Sequence, residues 1–311
     1  MSWHGSALQA IGNALFDSPF NDLWPLVALP ALAALASDRT ARLLPDGRWK
    51  AVWAAILTLA PGLVALGAMS QAFDFGPVLT WRGIVTRRIT PLAAAALAGW
   101  ALVHAVAGQR DVARLFRAST PPGERLRRAA DRLGLAAREL ATDEAECLVA
   151  GLVRPTVFVS RGALAQLGDA ELEAALLHER AHVKGCDTLW LLVLSCFRDL
   201  APFGRGEALE AFRAAREARA DRVAAASAGS LNLAAALVAL ARRGPAPAAA
   251  LPLARETALR ARVRALLEVE APSEAGGRSR AELAAGIGLN LLLVAWPAIQ
   301  WQLMLIFCDS V

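Results

Sequence analysis

The chain has 311 residues, 56% of them hydrophobic and 20% charged, with a formal net charge of +5. A mean hydropathy of +0.40 is high for an ordinary water-facing domain of this length and points to the membrane. Four cysteines fit neither a disulfide framework nor a zinc ribbon, and the arginines interleave with Asp and Glu, so no direct nucleic-acid partner is expected.

Four stretches are apolar enough to be read as membrane spans, for which about 20 residues are needed. The first, about 23–37, is short and holds Pro25 and Pro30. Its Ala34-Leu35-Ala36 resembles a signal-peptide cleavage site, but residues 1–22 lack Lys and Arg, so an uncleaved anchor is expected. The second runs over 51–72 and the third over 91–108. The fourth covers 285–307, with Trp296 and Trp301 as headgroup anchors. The basic residues before position 110 sit at Arg39, Arg42, Arg48 and Lys50 and at Arg82, Arg87 and Arg88. Loop charge then places both termini outside and 109–284 in the cytosol, in a multi-pass protein of the inner membrane. The 73–90 loop is discordant, and its Val78 to Thr86 pattern suggests a small external hairpin. The expected organisation is a membrane region over 1–108, a cytosolic domain over 109–284, and a last span with a short tail over 285–311.

Within the middle segment, periodicity predicts helices over 122–141, 169–184, 188–200, 206–228, 231–243 and 253–268. Residues 188–203 are apolar but carry Arg198 and Asp199, so they read as a packed or interfacial helix rather than a fifth span. Residues 147–160 read as two strands around Arg154-Pro155. The linkers fall at 244–252 and 271–277.

Positions 178–182 read His-Glu-Arg-Ala-His. Residues four apart on a helix share a face, so His178 and His182 can present two imidazoles to one metal ion. Glu179 lies beside them as a candidate general base. A chain shuffled at this composition would hold roughly 0.002 such motifs. Helix signals surround it: Gly168-Asp169 as a cap, with Asp169 accepting free N–H groups, Glu171 and Glu173 in the first turn, a Leu172, Leu176, Leu177 stripe, and Gly185 as a stop. The pattern points to zinc hydrolysis of a protein or peptide.

A catalytic zinc takes three protein ligands. Thr188 stands where one protease class places a third His, so that class is excluded. A carboxylate from a later helix remains. Glu217 is the first candidate, with Asp221 one turn on to hold a ligating imidazole through a hydrogen bond. Glu210 is a rival, and Asp187 and Asp199 are weaker alternatives. Cys186 and His104 are remote candidates, better explained as a small core thiol and a helix-interface imidazole; His4 reads as an exposed terminal residue. Val157, Phe158 and Val159 are candidates for an edge strand along which a substrate peptide pairs, although an internal strand explains them equally well.

The runs Leu152 to Ser160, Leu167 to Ala174 and His178 to His182, continued through Arg216 to Asp221, resemble the BlaR/MecR-type antirepressor membrane metallopeptidases, which are gluzincins. The resemblance implies a mainly α membrane protein. About four transmembrane helices would carry a cytosolic α+β zincin-like domain between the third and fourth. It implies Zn2+ held by His178, His182 and Glu217, with Glu179 catalytic. The substrate it suggests is a cytosolic transcriptional repressor or another membrane-proximal protein. Those sensors continue into an external penicillin-binding domain where this sequence stops at Val311, so direct β-lactam sensing is not expected. The Ste/HtpX-type quality-control proteases share the His pair and the carboxylate helix and are the runner-up. A non-catalytic signalling scaffold with a structural metal has no need of Glu179, and a transporter would need more ionisable groups within the spans.

Overall fold

A computed structural model describes residues 19–45, 49–71, 90–200, 204–241, 252–267 and 277–308. The hairpin expected over 78–86, the linker at 244–252 save its last residue, the linker at 271–277 save its last residue, and His4 lie outside them. The chain divides into two compact units. One comprises Met1–His104, Val193–Phe212 and Ala275–Val311, the other Ala105–Leu192 and Arg213–Glu274. Residues 193–212 thus group with the first unit.

In the first unit α1 (Pro19–Arg42), α2 (Lys50–Gln71) and α11 (Gly277–Cys308) pack on one another. Leu29, Ala33 and Val64 form a small core with Leu293, Val294 and Trp296. Polar groups are buried in the same unit, each with a partner. Ser37 Oγ donates to Asn290 Oδ1 at 2.7 Å, and Thr58 Oγ1 donates to the Ala54 carbonyl at 2.7 Å. Helix approach is close enough that a Cβ on Gly286 would strike the Thr40 hydroxyl.

The membrane expectation is overturned here. Among the described residues no helix is long and apolar enough to cross a membrane. Each apolar run belongs to a helix that continues into charge or is interrupted. Asp38, Arg39 and Arg42 belong to α1, and Pro61 sits inside α2. The third run extends as α3 (Thr90–Ala118) through Arg110, Asp111, Arg114 and Arg117, and α11 begins with Arg278, Arg280 and Glu282. Much of the hydropathy comes from alanine, including buried Ala33, Ala34, Ala54, Ala60 and Ala65. Alanine raises a hydropathy sum while being, first of all, the strongest helix former. Leu32, Leu35, Leu63, Leu291 and Leu292 are exposed. The four-span architecture and the inner-membrane placement with external termini are withdrawn.

The second unit is built around a four-stranded sheet of order β1-β2-β4-β3, where β1 is Ser119–Thr120, β2 Ala137–Leu140, β3 Cys147–Ala150 and β4 Thr156–Ser160. The pair β3–β4 is antiparallel, with Cys147 opposite Val159, and β2–β4 is parallel, with Leu140 opposite Ser160. Side chains alternate across a strand. Val157 and Val159 enter one core with Leu126, Leu172 and Leu176. Phe158 enters the other, with Val112 and Leu115 beside it and the Phe116 ring edge-on at 5.1 Å.

The helix expected over 122–141 is shorter. It ends as α4 (Glu124–Leu133), because Gly134 takes a left-handed conformation with φ 65°. The residues after it join the sheet as β2. Next come α5 (Arg161–Gln166), α6 (Asp169–Lys184), α7 (Asp187–Leu200), α8 (Glu207–Ala228), α9 (Ser230–Ala241) and α10 (Pro252–Leu267). The bounds of α6 are those expected from sequence. Leu172 and Leu176 seat it on the sheet core, while Ala174 and Leu177 face Ala224 of α8 and Leu233 of α9. Its cap differs from expectation: Gly168 is the cap residue, its N–H donating to Glu171 Oε2 at 2.8 Å, and Asp169 instead pairs with Arg125 at 2.7 Å.

Candidate metal centre

Helix α6 places His178 and His182 one turn apart, and α8 brings Glu217 against both. His178 Nε2 and His182 Nε2 are 3.1 Å apart. Glu217 Oε2 lies 3.4 Å from His178 Nε2, and Oε1 lies 3.5 Å from His182 Nε2. Tetrahedral donors held about 2.0–2.1 Å from one centre stand roughly 3.3–3.5 Å from each other. The two imidazole nitrogens and a Glu217 oxygen all lie within 4.8 Å of one another, so this His-His-Glu group could hold a metal ion. Its donor set, two imidazoles and one carboxylate, suits zinc.

Each imidazole turns its other nitrogen to an aspartate, and each aspartate is held by an arginine. His178 Nδ1 is 3.0 Å from Asp221 Oδ1, close enough for charge pairing though poorly aligned for a hydrogen bond. Asp221 accepts from Arg262 Nε at 2.8 Å and Nη2 at 2.7 Å. His182 Nδ1 lies 2.7 Å from Asp187 Oδ2, and Asp187 in turn pairs with Arg216. Arg216 also donates to the Gly185 carbonyl at 2.9 Å. Glycine at 185 makes this possible, since a Cβ there would collide with the Arg216 guanidinium and stand 2.6 Å from Asp187 Oδ1. A His that donates its outer N–H to a carboxylate is fixed in ring orientation and made a better ligand.

Acids, imidazoles and guanidinium groups crowd the centre and shift one another's titration. Glu179, Asp187, Glu217 and Asp221 gather around the imidazoles with Arg216 and Arg262. The titrations reflect this. Burial alone would lower His178, but the Asp221 and Glu217 carboxylates beside it and the charge of Glu179 raise it to about 9. Burial would raise Asp221, yet Arg262 and His178 hold it down at about 2. Glu217 is likewise held below the usual range by His178 and Arg262, against the pull of burial. Burial dominates at Glu179 and lifts it to about 7 despite the nearby His178 and His182. No hydrogen bond or ion pair ties the Glu179 carboxylate among the described residues, which leaves it free to handle a proton.

The remaining sequence candidates lie elsewhere. Glu210, Cys186 and His104 are not in the ligand group among the described residues. Cys186 is exposed, not a core thiol. His104 lies 3.7 Å from Asp199 and stacks near Trp100. Asp187 is the partner of His182 rather than a ligand. The edge-strand reading of Val157, Phe158 and Val159 is corrected: β4 is paired on both sides, so its backbone has no open edge. The sheet ends at β3 instead. There the Cys147 thiol is pushed well up by burial and by the charge of Glu179.

Sequence reasoning missed Arg216 and Arg262. Arg216 adjoins Glu217 in sequence and was readable only as a local charge pair; Arg262 stands 41 residues from Asp221 and gave no local signal. No family model and no curated protein matches this chain. The likeness to BlaR/MecR-type peptidases rests on the residues quoted above.

Proposed function

We propose that the chain is a zinc-dependent endopeptidase whose ligands are His178, His182 and Glu217 and whose general base is Glu179. The observation that carries this reading is a carboxylate, raised to about 7 and without a hydrogen bond or ion pair among the described residues, beside a His178, His182 and Glu217 group whose donors lie within 4.8 Å of one another. A structural metal site does not need such a base. Zinc bound there would supply a Lewis acid that polarises a peptide carbonyl and acidifies water.

Glu179 takes the proton of the attacking water and delivers it to the leaving nitrogen, a role suited to a group titrating near neutral pH. Asp221 and Asp187 hold the two imidazoles in orientation. In this reading an extended peptide pairs, main chain to main chain, along β3, the strand that ends the sheet among the described residues. A transcriptional repressor is the substrate suggested by the BlaR/MecR resemblance.

The test is Glu179→Gln. Peptide cleavage by zinc-loaded protein should fall by about 10²–10⁴-fold with zinc content unchanged, and protein termini generated in cells by the wild type should be missing with the variant. Equal cleavage by the variant rejects the assignment.

A further inference from the structure

We infer that Arg262 is the positioning residue that aims the carboxylate ligand, so that assembly of the metal site depends on α10 as well as on the two helices that carry the ligands. This rests on the metal reading above. All three guanidinium nitrogens are engaged. Nε and Nη2 grip both oxygens of Asp221, and Nη1 lies 3.0 Å from Glu217 Oε2. That Oε2 is the oxygen that faces His178 Nε2.

The need for such a clamp follows from exposure. The Glu217 side chain is 39% accessible, whereas that of Asp221 is 7%. A half-exposed glutamate has several rotamers open to it, and fixing one is unfavourable without a directional partner. Arg262 supplies that partner and still leaves lone pairs on both oxygens for a cation. Through Asp221 the same guanidinium also steadies His178. One arginine thus fixes two of the three ligands, while His182 has its own arm through Asp187 and Arg216. A lysine cannot replace it, because an ammonium group is a point charge without the planar fork.

The test measures zinc affinity by competition with a chromophoric chelator, and ligand geometry by the visible absorption of Co2+-substituted protein. Arg262→Met should weaken zinc binding by about 10–100-fold and alter the Co2+ bands. Combined with Glu217→Gln, the two losses should be less than multiplicative, because one residue acts through the other; a purely structural role would give multiplicative losses. His178→Ala separates the hypotheses. If it too binds zinc like the wild type, the metal reading falls and this inference with it. If His178→Ala loses zinc while Arg262→Met keeps wild-type affinity and spectrum, only the positioning role is overturned. Should circular dichroism show Arg262→Met unfolded, Arg262→Lys carries the test: reduced affinity supports the inference and wild-type affinity overturns it.

Discussion

Each unit of this protein buries an aspartate, and the two kinds of burial differ in what completes them. In the first unit Asp38 is 7% exposed. Its Oδ1 accepts the Glu207 N–H at 2.9 Å and its Oδ2 accepts the Arg205 N–H, at the start of α8. A carboxylate at a helix N-terminus meets free N–H groups and the positive end of the dipole, so its charge is answered by the fold itself. In the second unit Asp187 and Asp221 are 3% and 5% exposed. Their charges are answered by arginines and imidazoles. A buried acid satisfied by backbone is architecture. A buried acid that passes its charge to a ring nitrogen facing an open donor triangle signals a ligand.

The contrast can be broken most strongly by pH. His178 is held protonated up to about 9, and only the neutral ring can bind a metal. Lower pH favours the proton over the cation, so zinc affinity should fall by about tenfold for each unit below pH 9. Competition titrations from pH 9 to 6 check this, and a flat profile would place His178 outside the ligand set.

Next in size, Asp221→Asn and Asp187→Asn should each weaken zinc by about 10–100-fold, read by the same titration. Gly185→Ala should cost about tenfold in zinc affinity by displacing Arg216 from Asp187; wild-type affinity in that variant would remove the Arg216 arm from the account. The smallest effect on the site belongs to Asp38→Ala. Losing the acceptor for two N–H groups should reduce stability by about 1–3 kcal/mol in chemical denaturation while zinc affinity stays unchanged. Loss of zinc there would erase the distinction between Asp38 and the pair Asp187 and Asp221.

Helix α6 was legible because its signals are local. The 3.6-residue spacing of Leu172, Leu176 and the two histidines, with Gly168 before and Gly185 after, fixes α6 without reference to the rest of the chain. The β3–β4 hairpin was legible for a similar reason: Thr156-Val157-Phe158-Val159 is β-branched and aromatic, and Arg154-Pro155 breaks the run. By contrast β2 is Ala-Arg-Glu-Leu, all helix formers. Only pairing with β4 makes it a strand, and the sole local hint was Gly134. The same distance from local signal hid Arg262, whose partners are on another helix. It also turned Asp187 into a weak ligand candidate, since an acid five residues from a histidine reads the same whether it binds the metal or the ring. The membrane expectation failed where hydropathy was summed over alanine, whose helix preference and close packing account for its abundance as well as lipid would.

The centre is tested most directly by counting metal. After loading with Zn2+ and gel filtration, elemental analysis of the full chain should find one zinc per wild-type chain and close to none in His182→Ala or Glu217→Ala proteins that remain folded. Wild-type protein that retains no zinc, or variants that retain as much as the wild type, would contradict the account.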